Sequence, residues 1–171
     1  TIGRRQRQMC IRDRAITDHN IDFDCIYGPA YKGIFLGSIV ATVLSELGKN
    51  YPICFNRKEE KDHGEGGNII GANPQGKTLI IDDVLSAGTA CRESINLITQ
   101  HNSIPVSFVV GLDRQEKGQS EKSASKELED KFNLSVISII NLDTLITYVE
   151  EESQLKSYLS GLNQYRDNWG A

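Results

Sequence analysis

The sequence predicts an α/β protein with a central parallel sheet flanked by helices. Short β-favouring runs alternate with longer stretches of helical periodicity, 39 % of residues are hydrophobic against 25 % charged, and 171 residues suit one hydrophobic core. The first run, Phe23 to Tyr27, is followed by Leu36, Ile39, Val40, Val43, Leu44 and Leu47. Their three-and-four spacing places an apolar stripe on a helix that ends at Gly48. The second run, Pro52 to Phe55, leads into Asn56 to Gly76, where charged residues and five glycines carry no stripe. A segment of that length inside a compact domain reads as a flexible functional loop or flap. Thr78 to Ile81 is the third run, and Cys91, Ile95 and Ile98 stripe the helix after it. Val106 to Leu112 and Val136 to Ile140 supply two more strands. Leu142, Leu145, Ile146 and Val149, then Leu155, Tyr158, Leu159 and Leu162, predict two C-terminal helices parted near Glu150 to Glu152.

Composition excludes several classes. The longest mainly apolar run, Ile34 to Leu47, is interrupted by Gly37, Ser38, Thr42, Ser45 and Glu46, so it falls short of the ~20 apolar residues of a membrane-spanning helix. Cys10, Cys25, Cys54 and Cys91 are too widely spaced for a zinc site's close pairs and too sparse for a disulfide framework. They read as reduced thiols in a cytoplasmic protein. Residues 1–14 hold five arginines against Asp13, while the whole chain has 19 basic and 23 acidic side chains, so everything beyond the head is markedly acidic. An acidic body lacks the accumulated Lys and Arg contacts that phosphate-backbone binding needs, which speaks against a nucleic-acid partner. The head has neither the apolar centre of a secretory signal nor the serines of a transit peptide. It reads as a disordered or foreign extension, leaving residues 15–171 as one domain.

Gly71 to Thr78 matches the Walker A pattern, and Leu79-Ile80-Ile81-Asp82-Asp83 after it resembles a Walker B strand. A Walker A loop works because a helix leaves it and aims its N-terminus at the phosphates. Here a β-type run follows at once, so a polar turn before a strand is a better reading than a nucleotide triphosphatase. The run itself is more informative. Apolar Thr78 to Ile81 precedes two carboxylates, Asp82 and Asp83, and then the small-residue loop Val84-Leu85-Ser86-Ala87-Gly88-Thr89 and a helix. Successive strand residues point to opposite faces, so both carboxylates can serve one ligand only if the strand ends and turns there. The carboxyl end of a parallel strand is where open α/β sheets bind ligands. Backbone N–H groups and the Ser86 and Thr89 hydroxyls suit a phosphate, and carboxylates beside it suit ribose hydroxyls, directly or through magnesium. The element asks for a sugar phosphate.

Ile80 to Ala90 resembles the signature of the phosphoribosyltransferases: hydrophobic strand, two acidic residues, small-residue loop and Thr. Within that class, Gly28-Pro29-Ala30-Tyr31-Lys32-Gly33, then Phe55-Asn56-Arg57-Lys58-Glu59-Glu60-Lys61-Asp62-His63-Gly64-Glu65-Gly66-Gly67, then Leu112-Asp113-Arg114-Gln115-Glu116 resemble the orotate phosphoribosyltransferases, over about nine-tenths of the chain. The resemblance implies the type I phosphoribosyltransferase fold and transfer of phosphoribose from 5-phosphoribosyl 1-diphosphate to orotate, with Mg2+ as cofactor. By it, Asp82 and Asp83 hold the ribose hydroxyls, and Val84, Leu85, Ser86, Ala87, Gly88, Thr89 and Ala90 surround the 5′-phosphate. Tyr31 and Lys32 meet the diphosphate, Arg57, Lys58, Lys61 and His63 line or cover it, and Arg114 receives orotate. Catalytic weight falls on Lys61, His63, Asp82 and Asp83, with magnesium held mainly through the substrate. A homodimer with the Lys61 loop acting in trans, and a cis peptide at Ala30–Tyr31, are also implied. Without the resemblance, Arg57 to Glu65 is an ordinary mixed-charge loop, His63, like His19 and His101, a surface histidine, and Arg114 a partner for Asp113 or Glu116. The family pattern places about forty residues ahead of the first run, including a segment that closes over orotate. Residues 1–14 do not match them, so the chain reads as N-terminally truncated, with orotate transfer impaired. The alternative function is a related protein that uses another base or acts as a regulator.

Overall fold

The computed structural model describes residues 16, 19–57 and 68–171. The basic head at 1–14 and the flap residues Lys58, Lys61 and His63 lie outside the described residues. β1 (Cys25–Tyr27), β2 (Ile53–Asn56), β3 (Ile69–Gly71), β4 (Lys77–Leu85), β5 (Ile104–Asp113) and β6 (Ser135–Asn141) form one sheet in the order β3-β2-β1-β4-β5-β6. All neighbours are parallel except β2 and β3. Helices among the described residues include α1 (Lys32–Glu46), α2 (Thr89–Gln100), α3 (Ala124–Phe132), α4 (Leu142–Glu151) and α5 (Leu159–Trp169), the last preceded by a 3-10 turn at Ser153–Tyr158. Among the described residues, no helix is long and apolar enough to cross a membrane.

Alternating strand residues feed two cores. Ile26, Leu79, Ile81 and Val109 point to the α1 side, where Val40 and Leu44 cover them. Cys25, Tyr27, Ile80, Phe108 and Val110 point the other way, under Cys91, Ile95 and Ile98 of α2 and Ala124 and Leu128 of α3. Cys25, Cys54 and Cys91 are free thiols within this second core, as their spacing predicts. Burial pushes the Cys91 thiol up to about 12, which leaves it protonated and inert at neutral pH.

Several expectations need correction. The line that α1 buries is Gly33, Gly37, Val40 and Leu44, whereas Ile39 and Leu47 are exposed. The helix begins earlier than its apolar residues, and its glycines form part of the seam on the sheet. α1 does stop as predicted: Gly48 takes a φ of +79°, and the Lys49 amide donates to Leu44 O. The stretch expected as loop from Asn56 to Gly76 contains β3, which turns back antiparallel on β2. α3 is unexpected; it packs Ala124, Leu128 and Phe132 on the core at four-residue spacing, and its start is fixed by the Ser123 hydroxyl, which accepts from the Lys126 amide. The C-terminal periodicity from Leu155 is split between the 3-10 turn and α5.

The Walker A match is not a phosphate loop. β4 starts at Lys77 itself, and the lysine is spent at the amino end of the strand. Its ammonium pairs with Asp22 at 2.5 Å and its amide donates to Asp24 Oδ2 at 2.8 Å. That is the opposite end from the paired aspartates.

Candidate active site

β1, β4 and β5 are neighbours, so their carboxyl ends bring three separate chain segments together. From β1 comes the loop Gly28 to Tyr31. Gly28 in this loop and Gly33 in the first turn of α1 are dictated by close approach, since a Cβ on Gly28 would lie 2.2 Å from Gly33 O and one on Gly33 would lie 2.8 Å from Ile81 O. The Ala30–Tyr31 peptide is cis, as the resemblance implied. The Ala30 amide donates to the Asn56 side chain at 2.8 Å, which ties the loop to the end of β2. Nothing in the local sequence marks Asn56 for this contact, because it is the fold that brings the end of β2 to Ala30.

From β4 come the two carboxylates. The strand does not end at Ile81 but runs on to Leu85, with Asp82 in register with Val110 and Val84 with Leu112. The loop before α2 is correspondingly shorter, Ser86 to Gly88, with Gly88 at a φ of +80° capping the helix. Leu85 is a core side chain rather than a loop residue, Val84 belongs to the strand, and Thr89 and Ala90 open α2. The turn is braced from behind by Arg92, which donates to Ala87 O and pairs with Glu127 at 3.4 Å. Arg92 escaped the sequence reading because Glu127 lies on α3, which the periodicity did not reveal.

The two aspartates have different environments. Asp83 accepts from the Lys32 ammonium at 2.7 Å, the first residue of α1. Asp83's hydrogen bond and charge raise the Lys32 pKa, while the nearby Arg114 charge pulls the other way. Asp82 is more enclosed. Burial, chiefly, and then the Asp83 charge raise its pKa to about 6, against the Asp83 amide that donates to Asp82 Oδ1 at 2.9 Å. In the unfolded chain this carboxyl titrates near 3.8. The folded state therefore holds a proton that the unfolded state has lost between these values, and Asp82's contribution to stability declines as pH rises through about 6. Asp82→Asn should accordingly melt higher than the parent at pH 7.5 in the absence of substrate, and the gap should close by pH 4.5. Thermal melts at the two pH values check this; a constant gap would refute it.

From β5 comes Arg114, whose amide donates to Leu85 O at 2.9 Å and so sits beside the end of β4. Its Nη1 lies 3.4 Å from the Tyr165 hydroxyl and 3.5 Å from Glu116 Oε1. Pairing with Glu116 was one of the two structural options for this residue; Asp113 instead accepts from the Gln115 amide. Arg57 follows β2, its amide donating to Asn68 O at 2.9 Å. Its Nε is buried and, among the described residues, without a hydrogen-bond partner. Arg57 and Asn56 line a cleft of about 650 Å³ that runs from the Pro29–Ala30 loop along α2 to Gln100. Of the predicted residues, Tyr31, Lys32, Asp82, Asp83, Ser86 to Thr89 and Arg114 thus converge on adjoining strand ends, and Arg57 borders them.

Strand ends that gather paired carboxylates, a short turn opening a helix and a set of cations define a phosphoribosyltransferase. The comparisons agree, for the family model described as a phosphoribosyl transferase domain matches residues 11–141. The orotate phosphoribosyltransferase of Thiobacillus denitrificans is 45 % identical over 157 residues, spanning 92 % of this chain and 74 % of that protein. That of Marinobacter nauticus is 47 % identical over 156 residues, spanning 91 % and 74 %. The crystal structure of the Francisella tularensis orotate phosphoribosyltransferase superposes with a TM-score of 0.76 at 33 % identity, covering 95 % of this chain and 78 % of that one. The chain belongs to the orotate phosphoribosyltransferase family.

Proposed function

We propose that the protein transfers the 5-phosphoribosyl group from 5-phosphoribosyl 1-diphosphate to orotate, giving orotidine 5′-phosphate and diphosphate in pyrimidine nucleotide synthesis. The observation that carries this reading is the convergence of Asp82, Asp83, the Ser86–Thr89 turn and Arg114 on adjoining ends of β4 and β5, in a chain of this family. The turn offers backbone N–H groups and two hydroxyls to the 5′-phosphate at the start of α2. Asp82 and Asp83 accept from the ribose hydroxyls. Tyr31 and Lys32, at the mouth of the Gly28–Gly33 loop, take the diphosphate, with Arg57, Lys58, Lys61 and His63 lining or covering it. Arg114 forks onto the orotate carboxylate, which a planar guanidinium can bind through two oxygens at once.

Breaking the C1–O bond leaves positive charge on the ribose and adds negative charge to the departing diphosphate. Cations held at the diphosphate therefore stabilise the transition state more than the ground state, and no nucleophilic side chain is needed. Magnesium suits this site in one particular way. No cluster of three or more carboxylate, His or Cys side chains forms a cage among the described residues. Two adjacent carboxylates beside a phosphate site match an ion that keeps its waters and binds largely through substrate oxygens. Asp82 and Asp83 are the groups that would face it, and bound magnesium would neutralise diphosphate charge.

The reading includes a homodimer in the cytoplasm, with the Lys61 segment serving the neighbouring site. Phe35, 68 % exposed, and Ile39 one turn on support it, because they give α1 an apolar outer face beside the diphosphate loop. The experiment is a transfer assay with orotate, uracil and adenine as acceptors, alongside calorimetry with the diphosphate donor. Magnesium-dependent donor binding and product from orotate alone are expected. Product from another base would favour the alternative of a different acceptor, and an absence of magnesium-dependent donor binding would overturn the reading.

A further inference from the structure

The C-terminal helix is stitched to the segment that carries Arg114. The Lys117 amide donates to Trp169 O at 3.0 Å, the Ala171 amide to Gln115 O at 3.1 Å, and Glu116 and Gly170 form an antiparallel bridge. Gln115 also exchanges side-chain hydrogen bonds with the start of α4, donating to Asp143 Oδ2 at 3.0 Å and accepting from the Asp143 amide at 2.8 Å. These contacts fix where α5 places Tyr165. Its hydroxyl donates to Glu116 Oε1, and the same oxygen pair flanks Arg114 Nη1. The Arg114 Cζ lies 6.0 Å from the Tyr165 ring centroid.

We infer that Tyr165 and Glu116 are positioning residues that hold the Arg114 guanidinium ready for the base's carboxylate, and so set the preference for a carboxylated pyrimidine. The inference rests on the reading of Arg114 as the carboxylate receptor. Both contacts engage Nη1, which leaves the rest of a guanidinium fork to meet a ligand, and the Arg114 side chain is 43 % exposed. An arginine so placed on a strand end samples many rotamers unless something holds it. Holding it beforehand removes an entropic cost that binding would otherwise meet. Tyr165 and Glu116 also raise the Arg114 pKa, in keeping with a cation already stabilised before ligand arrives.

The test compares orotidine 5′-phosphate with uridine 5′-phosphate, which differ by the carboxylate, by calorimetry on the full chain, so no turnover is required. The parent should prefer orotidine 5′-phosphate, and Arg114→Ala should abolish the preference. Tyr165→Phe, which keeps the ring, should reduce it about 5-fold while leaving uridine 5′-phosphate affinity and melting temperature unchanged. On the Arg114→Ala background it should cause no further loss. Glu116→Ala should also reduce the preference, and Glu116→Gln, which retains an acceptor, should restore most of it. A preference untouched by Tyr165→Phe and Glu116→Ala but abolished by Arg114→Ala overturns the positioning role alone. Equal loss for both nucleotides in Tyr165→Phe also overturns it, as a merely structural effect. A parent without preference, or one that survives Arg114→Ala, overturns the reading of Arg114 and the inference with it.

Discussion

Lys61→Ala should lower turnover by about 100-fold or more while changing the apparent affinity for either substrate far less. A cation directed at a leaving group interacts most strongly when the C1–O bond is breaking and charge is gathering on the diphosphate. Its removal therefore appears in kcat rather than in binding of the intact donor. Steady-state kinetics separate the two parameters, and equal losses in both, or none, would contradict the assignment. If the segment serves the neighbouring subunit, mixing Lys61→Ala chains with Asp83→Asn chains should recover part of the activity. A mixed dimer then contains one site with both its lysine and its aspartate. Activity no higher than the two inactive parents would show that each site is complete within one chain.

The second large effect is expected at Gly28. A Cβ there falls 2.2 Å from Gly33 O and 2.6 Å from its carbonyl carbon, both backbone atoms that no rotamer change can move. Gly28→Ala should cost about 3 kcal/mol, the upper range for overpacking a tight site. For a chain of this size that is roughly a 6–12 °C fall in melting temperature. The damage should be greater for donor binding than for stability, because the backbone that must shift is the loop proposed to receive the diphosphate. By contrast, Gly161→Ala places a methyl in open space on α5 and should be neutral or slightly stabilising. A Gly28→Ala protein that melts with the parent and binds donor normally would remove the argument.

Much of the architecture is legible in local residue patterns. The five parallel strands announce themselves as short apolar runs, α2 as Cys91, Ile95 and Ile98 on one face, and the end of α1 as Gly48. The placement of the β4 end is legible too, since two adjacent carboxylates and a small-residue turn stand where the strand gives way to α2. What local pattern misses is set by distant partners. β3 has three residues and exists because β2 offers it an edge. α3 sets only Ala124, Leu128 and Phe132 on the core, a three-residue stripe in an otherwise charged nine-residue helix. β4 continues past the expected turn because β5 pairs with it as far as Asp113. Arg114's companion Tyr165 lies on a different helix late in the chain, beyond the reach of any spacing rule.

The position of β1 in the sheet has a kinetic consequence. β1 pairs with β4 from Cys25 opposite Thr78, and with β2 from Ile26 opposite Ile53. Zipping β1 to β4 closes a loop of roughly fifty residues, an entropic toll that helices and hairpins do not face. Until that closure residues 28–33 and the two aspartates belong to separate stretches of chain, so the proposed donor site is assembled only after the slowest class of contact has formed. Regain of donor binding during refolding should therefore track the main folding phase, with no earlier species competent to bind. Lengthening the stretch between β2 and β3 should slow that phase while changing equilibrium stability little, since closure entropy grows only by about 0.6 kcal/mol for each doubling of chain length.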